Sequence, residues 1–397
     1  MQNHPKPNPA ALEKSRALTT AIRAEIADAP SGAIPFERFM ELALYAPDLG
    51  YYQSGAPKFG AAGDFVTAPE LSPLFSRCVA RQAGQIVKET GGDILEVGAG
   101  SGVMAADVMA ALQEQNALPE RYRIIEKSPA LRRLQRATIK ARVPALLPRF
   151  HWQEEPFPDA GFRGVILANE LLDAIPCDRF TVAGGAVHEC RVGWDGKGFI
   201  WRRIPASPEL EQAVREIEKA LDRPFPDGYT SELHPARTAW VGETMGRMEA
   251  GLLLLLDYGY PRAEYYHPER NDGALICHYR HRLHDDPFFL PGCQDISVPV
   301  DFSAIAEAVT AMAAAAEGTD VRIAGFTTQR DFLFATGLLT MCEELDPTSR
   351  EYLSAVQGIK TLTLPGEMGD IVKAMAITKG IGEPLLGFGG RDLRGRL

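Results

Sequence analysis

A glycine-rich turn between a predicted strand and a predicted helix is the first place in this sequence where chemistry can be located. The stretch I-L-E-V-G-A-G-S-G over 94–102 places the apolar residues of a buried parallel strand before Gly98, Gly100 and Gly102. A helical pattern follows over 103–112. A strand, a glycine turn and a helix in this order are typical of the first nucleotide-binding unit of a doubly wound α/β domain. Glycine lets the backbone turn sharply there and lets a ligand approach closely.

The spacing of these glycines disfavours several common sites. A dinucleotide fingerprint G-x-G-x-x-G requires glycine where Val103 stands. A phosphate loop requires Gly-Lys-Ser/Thr, which this stretch lacks. A nucleophile elbow around Ser101 requires glycine at the two positions where Ala99 and Val103 stand. The remaining pattern is an acid followed by G-x-G-x-G, led by Glu96. It resembles motif I of S-adenosylmethionine-dependent methyltransferases.

A second predicted strand, over 122–125, ends at Glu126. Glu126 follows Gly102 at a distance close to the roughly 20 residues expected for a ribose-binding acid. An acidic residue at this strand end accepts hydrogen bonds from the ribose hydroxyls of a nucleotide. We therefore expect Glu126 to contact the ligand, rather than to be an ordinary surface glutamate.

A third predicted strand, over 165–168, ends in Asn169, Glu170 and, shortly after, Asp173. Ligands of open α/β sheets bind outside the carboxyl ends of the strands, so these side chains are expected where chemistry occurs. The alternative is that they cap the following helix.

Composition limits the class of protein. The 397 residues are 45% hydrophobic and carry a net charge of −10, which argues against a general nucleic-acid binder.

The cysteines form no C-x-x-C pair, and the H-x-x-H-x-x-H spacing over 278–284 does not keep three ligands on one helix face, so no metal is expected. No secretory signal is visible and the apolar run 252–256 is short. We expect a cytoplasmic protein without membrane insertion.

The order of predicted elements indicates an α/β fold with a helical extension before it and an insertion within it. Residues 180–204 alternate apolar and polar side chains, as β-hairpins do, and interrupt the α/β alternation. The predicted segments are a flexible or helical arm (1–30), a helical cap with a lid loop (31–90), the first half of the core (91–176), an inserted substrate or partner region (177–250), the second half of the core (251–386) and a flexible tail (387–397).

Several stretches together resemble the MidA-like family of S-adenosylmethionine-dependent methyltransferases, which includes the mitochondrial complex I assembly factor that methylates arginine. The resemblance covers the chain from about 34 to 388, and the second and fourth stretches are the most specific. The stretches are Y-A-P-D-L-G-Y-Y (45–52), G-D-F-V-T-A-P-E (63–70), L-E-V-G-A-G-S-G (95–102), A-N-E-L-L-D-A-I-P (168–176), L-L-D-Y-G-Y (255–260), P-G-C-Q-D-I-S-V-P-V-D-F (291–302), G-F-T-T-Q-R-D-F-L (325–333) and L-P-G-E-M-G-D (364–370).

The resemblance implies a seven-strand Rossmann-like methyltransferase fold with a family-specific insertion, S-adenosylmethionine as cofactor and protein arginine methyltransferase activity. Glu170 and Asp173 are the candidates to grip an acceptor guanidinium. By the same resemblance, Gly63, Asp64 and Thr67 would close over the cofactor, and Asn169 and Glu170 would border the transfer site. The residues expected to bind the cofactor are Gly63, Asp64, Thr67, Glu96, Gly98, Ala99, Gly100, Gly102, Glu126 and Asn169.

The characterised mitochondrial member acts on a 49-kDa-type subunit of complex I, so the resemblance implies a protein substrate: such a subunit or its bacterial counterpart. No organellar targeting segment is visible, which indicates a bacterial member, and a homodimer is one expected assembly.

Two alternatives to this function stay open. One is a methyltransferase of another protein side chain or of a small molecule. The other is a largely non-catalytic assembly chaperone that binds S-adenosylmethionine.

Overall fold

The computed structural model of the chain describes residues 5–53, 58, 66–154, 157, 159–315 and 320–397. The predicted site residues Gly63 and Asp64 lie outside the described residues. The helices are α1 (Pro9–Asp28), α2 (Phe36–Tyr45), α3 (Ala68–Leu71), α4 (Pro73–Thr90), α5 (Val103–Glu114), α6 (Pro129–Arg142), α7 (Pro208–Ala220), α8 (Pro235–Arg247), α9 (Arg262–Tyr265), α10 (Phe302–Ala315), α11 (Gln329–Ala335), α12 (Leu338–Glu343), α13 (Arg350–Thr363) and α14 (Met368–Ile371).

The strands fall into a central sheet and two smaller sheets. They are β1 (Ala33–Pro35), β2 (Asp93–Val97), β3 (Tyr122–Ile125), β4 (Phe150–Gln153), β5 (Phe162–Asn169), β6 (Asp178–Ala183), β7 (Ala186–Trp194), β8 (Phe199–Pro205), β9 (Thr230–Leu233), β10 (Met248–Tyr260), β11 (Ile276–Tyr279), β12 (Arg282–His284), β13 (Asp295–Ser297), β14 (Val300–Asp301), β15 (Val321–Thr328) and β16 (Val372–Lys379).

Within the described residues, seven strands run across the central sheet in the order β15-β16-β10-β5-β2-β3-β4, and β14 pairs with the end of β10. Strands β2, β3, β4, β5 and β10 are parallel, whereas β16 is antiparallel to both of its neighbours. This confirms the seven-strand Rossmann-like α/β prediction. Strand β16 (Val372–Lys379) is an inner strand, since it lies between β15 and β10.

The uninterrupted apolar run of β10 follows from burial on both faces of the sheet. Leu252, Leu254 and Leu256 pack into one hydrophobic cluster, and Leu253 and Leu255 pack into another. Successive side chains of a strand point to opposite faces, so the run contributes to the hydrophobic clusters on both faces of the sheet.

Among the described residues, none of the helices combines the length and the apolar character that a membrane span requires.

The N-terminal extension and the insertion form one structure beside the core. Strand β1 pairs antiparallel with β7 of the insertion, with Ile34 opposite Val192. The side chains of Leu18, Phe39 and Val192 belong to the same buried cluster. The two regions, which the sequence analysis treated separately, therefore share a hydrophobic core.

Two predicted boundaries differ from the structure because the elements concerned pack on the central sheet. Val241 and Met245 of α8 lie in the cluster that contains Leu253 of β10, so α8 is a core helix rather than part of the insertion. The tail over 387–397 was expected to be flexible. Instead, Leu393 is buried and its N–H donates to the Phe326 carbonyl at 2.7 Å.

Candidate functional site

A cavity of about 920 Å³ opens at the carboxyl ends of β2, β3 and β5, where the sequence placed the site. Helices α2 and α8 and the segment 45–53 also contribute to its lining. The cavity therefore lies between the core sheet and the structure formed by the N-terminal extension. The predicted site residues that line it are Thr67, Glu96, Gly98, Ala99, Gly100, Glu126, Asn169 and Glu170.

The backbone at Gly98 requires glycine. Its φ is +72°, a region that side chains with a Cβ rarely adopt, and an added Cβ would lie 3.2 Å from Leu171 Cδ1. The Gly98 N–H donates to the Ile125 carbonyl at 3.0 Å, which fixes the turn against the neighbouring strand. Gly98 lines the cavity, so the turn leaves room for a ligand close to the backbone.

Gly102, which the sequence analysis also assigned to the cofactor, is needed for the packing of the turn. It precedes α5 with φ of +83°, and an added Cβ would lie 2.9 Å from Gln135 Cα. Gly102 is not among the described residues that line the cavity. The absence of a side chain at Gly102 permits the close approach of α6 to the turn.

Glu96, at the end of β2, is buried and lines the cavity. Its Oε2 accepts a hydrogen bond from the Tyr122 hydroxyl at 2.7 Å. Burial raises the pKa of Glu96 to about 7, because the charged form loses hydration, although the Tyr122 bond opposes this shift. A further donor from a ligand would stabilise the carboxylate.

Glu126 is held in place by two donors. Its Oε1 accepts from the Ser128 N–H at 2.8 Å, and its Oε2 accepts from Gln135 Nε2 at 3.0 Å. Burial raises the pKa of Glu126, and these two bonds oppose that shift. A carboxylate oxygen has more than one acceptor site, so both oxygens retain capacity for the hydroxyls of a ribose.

Gln135 is a residue that the sequence analysis missed. Its Nε2 also donates to the Gly100 carbonyl at 3.1 Å, and its Oε1 accepts from Trp152 Nε1 at 2.9 Å. It therefore joins the glycine turn to Glu126. The sequence did contain a sign of this residue, because an amide stands in the apolar stripe of α6. The buried residues of that helix, at i, i+4 spacing, are Leu131, Gln135 and Ile139.

Glu170 follows β5 directly and adopts φ of +48°, which is unusual for a residue with a Cβ. Its Oε1 accepts from the Ala68 N–H and from Asn169 Nδ2, both at 3.2 Å. Burial, and then the nearby Asp173, raise the pKa of Glu170 to about 8. A cation in the cavity would favour its charged form.

Asn169 adds an acceptor to the same wall. Its Oδ1 is buried and has no hydrogen-bond partner among the described residues. A buried amide oxygen without a partner is unfavourable, and a donor from a bound ligand would satisfy it. This orphaned acceptor fits the expectation that Asn169 contacts the ligand.

Asp173 is not among the described residues that line the cavity. It lies in the 3-10 turn Leu172–Ala174, buried near Asp257 and Asp295. Burial and these two carboxyl groups hold the pKa of Asp173 well above its usual range. The Asp173 side chain is therefore buried apart from the described cavity lining, although Leu171 and Ala174 of the same segment line the cavity.

Acidic residues outnumber basic ones in the lining of the cavity. Among the described lining residues seven are glutamates, against Arg38 and Lys127. The guanidinium of Arg38 is already paired, through Nη2 to Glu25 at 2.8 Å and through Nη1 to Glu41 at 2.6 Å. The cavity thus favours a cationic ligand.

Known proteins resemble this chain over most of its length. Residues 78–319 match the model of a family described as "putative S-adenosyl-L-methionine-dependent methyltransferase". The protein arginine methyltransferase NDUFAF7 homolog, mitochondrial, of Drosophila melanogaster is 28% identical, over 95% of this chain and 89% of its own. That of Caenorhabditis elegans is 26% identical, over 87% and 83%. A Burkholderia thailandensis protein, crystallised with S-adenosyl-homocysteine, is 39% identical with a TM-score of 0.92, over 99% and 100%.

Proposed function

The chain belongs to this family of S-adenosylmethionine-dependent methyltransferases, and we propose that it methylates an arginine side chain of a protein. The observation that carries the proposal is Glu170, a carboxyl group on the wall of an acidic cavity beside the glycine turn. The names of the relatives from Drosophila melanogaster and Caenorhabditis elegans support arginine as the acceptor. The family resemblance supports a complex I subunit of the 49-kDa type, or its bacterial counterpart, as the substrate. The bacterial cytoplasm is the location that we propose for the protein.

The cavity fits S-adenosylmethionine, the cofactor of the family. Gly98, Ala99 and Gly100 provide an open backbone turn, and Glu126 provides a fixed carboxylate for the ribose hydroxyls. Asn169 provides an acceptor that has no partner among the described residues. When bound, S-adenosylmethionine supplies a methyl group activated by a positively charged sulfur.

Glu170 is suited to grip a guanidinium rather than to deprotonate it beforehand. The pKa of arginine is at least about 12, so full deprotonation at pH 7 requires about 7 kcal/mol. A carboxylate with two oxygens instead orients the guanidinium through charge-assisted hydrogen bonds. One guanidinium nitrogen is thereby positioned to attack the methyl group. The methylated nitrogen loses one proton during transfer, and we assign its acceptance to Glu170, whose pKa burial raises to about 8 in the absence of a cation.

Burial also gives Glu170 a selective response to its ligand. Without a cation nearby, a pKa of about 8 leaves the carboxyl largely protonated at pH 7. A bound guanidinium favours the carboxylate and adds an ion pair with it when the acceptor enters. A neutral acceptor would lack this interaction.

The proposal is tested by mass spectrometry of the complex I subunit from cells with and without this gene. Loss of a methylated arginine from that subunit is the expected result, and its return with the purified protein and S-adenosylmethionine would complete the test. Unchanged methylation together with failed assembly of the complex would support the non-catalytic chaperone instead. Methyl transfer to another side chain or to a small molecule would overturn the choice of acceptor but not the cofactor.

A further inference from the structure

The turn that carries Glu170 is held by one carboxylate on the neighbouring strand. The N–H groups of Leu171 and Leu172 both donate to Asp257 Oδ2, at 3.1 and 2.7 Å. Asp257 lies near the end of β10, directly after Leu256, whose carbonyl accepts the Glu170 N–H at 2.8 Å. Three successive backbone N–H groups, beginning at Glu170, are therefore bound by two adjacent residues of β10.

Asp257 is suited to this task because it is fixed itself. It is fully buried, and its other oxygen, Oδ1, accepts its own strand's Tyr258 N–H at 2.9 Å. Both oxygens thus face N–H donors, a pattern that an amide side chain cannot reproduce because its NH₂ group accepts no hydrogen bond.

The far end of the same turn is anchored by other side chains. Arg237, fully buried on α8, donates through Nη2 to the carbonyls of Asp173 and Ile175, both at 3.2 Å. The Tyr45 hydroxyl donates to the carbonyl of Ala174 at 2.9 Å. Because this end is fixed, the bonds to Asp257 determine the backbone conformation of the residues next to Glu170.

Glu170 needs such support because its left-handed backbone is unfavourable for a residue with a Cβ. If the bonds to Leu171 and Leu172 were lost, the turn would relax toward ordinary angles and the carboxyl group would leave its place on the cavity wall. We infer that Asp257 is a positioning residue for methyl transfer, acting through the turn that it holds. The inference rests on the proposed role of Glu170 in the transfer.

The test compares Asp257→Ala with Asp301→Ala in the full-length protein, because alanine removes both carboxylate oxygens whereas the amide oxygen of asparagine could still accept from Leu171 and Leu172. Asp301 is a matched control: it is also buried, its Oδ1 accepts two N–H groups, from Ser303 at 3.0 Å and Ala304 at 3.2 Å, and it is not among the described cavity residues. The measurements are thermal stability, calorimetric binding of S-adenosylmethionine, hydrogen exchange of peptides covering 169–176, and kcat and KM for the acceptor.

We expect Asp257→Ala to accelerate hydrogen exchange over 169–176 at least tenfold and to lower kcat at least thirtyfold. Its affinity for S-adenosylmethionine should stay within threefold of that of the wild type. Asp301→Ala should lose stability but keep exchange over 169–176 and kcat near wild-type values. Unchanged exchange over 169–176 in Asp257→Ala would overturn the inference, and so would faster exchange with an unchanged kcat.

These outcomes separate the inference from the proposed function. Hydrogen exchange needs no acceptor, so it shows whether Asp257 holds the turn even if the wild-type protein methylates no arginine. Absence of arginine methylation by the wild type would overturn the proposed function. A fall in kcat that is equal in both variants would assign Asp257 a general structural role and overturn the inference alone.

Discussion

The backbone N–H of Ala68 donates to Glu170 Oε1 at 3.2 Å, so two segments 102 positions apart in the sequence meet at the wall of the cavity. Ala68 begins α3, immediately after Thr67, which lines the same cavity. This contact orients the Glu170 carboxyl group from outside its own turn. It also brings the stretch expected to close over the cofactor, which includes Thr67, to Glu170.

Replacing Glu170 by Gln should abolish methyl transfer, with a fall in kcat of at least a hundredfold, because the amide cannot form an ion pair with a guanidinium. Calorimetric affinity for S-adenosylmethionine should be nearly unchanged, since Gly98 and Glu126 are untouched. Glu218→Gln is a suitable control, because Glu218 is also buried and accepts a backbone N–H, from Phe225 at 2.7 Å, but is not among the described cavity residues. Wild-type turnover in Glu170→Gln would remove Glu170 from the active role.

The same substitution should stabilise the protein at alkaline pH. Burial raises the pKa of Glu170 from 4.5 to about 8, so the folded state binds the proton more tightly than the unfolded state does. The free energy of unfolding of the wild type therefore falls as pH rises from about 4.5 to about 8. Glu170→Gln lacks this loss.

Melting curves at several pH values check this expectation. The melting temperature of Glu170→Gln should exceed that of the wild type at pH values of about 8 and above, and the two should converge near pH 4.5. A variant that is inactive yet more stable cannot owe its inactivity to misfolding. A constant difference across the whole range would show that Glu170 does not titrate as its burial implies.

Gly98→Val should prevent binding of S-adenosylmethionine. The valine side chain would meet Leu171, and its backbone would have to adopt φ of +72°, which is strained for a β-branched residue. Gly184→Val is the control: Gly184 has φ of +58°, has no atom within 4 Å of an added Cβ, and is not among the described cavity residues. Calorimetry should show binding in the control and none in Gly98→Val, and native affinity in Gly98→Val would refute the assigned pocket.

The glycine turn and the strand ends were predictable because each depends on a short local pattern. An apolar strand followed by Gly98, or by Glu126 or Asn169, places that residue at the carboxyl edge of a parallel sheet, whatever the distant sequence. Asp173 differs from these residues. It lies in the turn beyond Glu170 and its side chain is buried outside the described cavity lining, although Leu171 and Ala174 on either side of it line the cavity.

The parts that were missed depend on contacts between distant segments. The pairing of Ile34 with Val192, which joins the N-terminal extension to the insertion, leaves no signal in either segment alone. The bonds from Leu171 and Leu172 to Asp257 likewise span more than 80 positions. Gln135 differs, because an amide within an apolar stripe was visible, but nothing local identified its partners.

Gln135→Leu should weaken binding of S-adenosylmethionine without preventing methyl transfer. The leucine fills similar space but removes the donors to Glu126 Oε2 and to the Gly100 carbonyl, so the carboxylate expected to bind the ribose and the glycine turn both lose a fixed partner. Loss of hydrogen bonds to a charged group costs about 1.5–3 kcal/mol, and we expect at least about a tenfold rise in Kd.

The kinetics distinguish this role of Gln135 from that of Glu170. At saturating S-adenosylmethionine, kcat of Gln135→Leu should remain within about threefold of the wild type, because Glu170 is unaffected. Gln329→Leu is the matched control: Gln329 is also fully buried, its Nε2 donates to the Leu362 carbonyl at 3.0 Å, and it is not among the described cavity residues. If both variants weaken cofactor binding equally, the effect reflects general destabilisation and the proposed link between Gln135 and Glu126 is not required for binding.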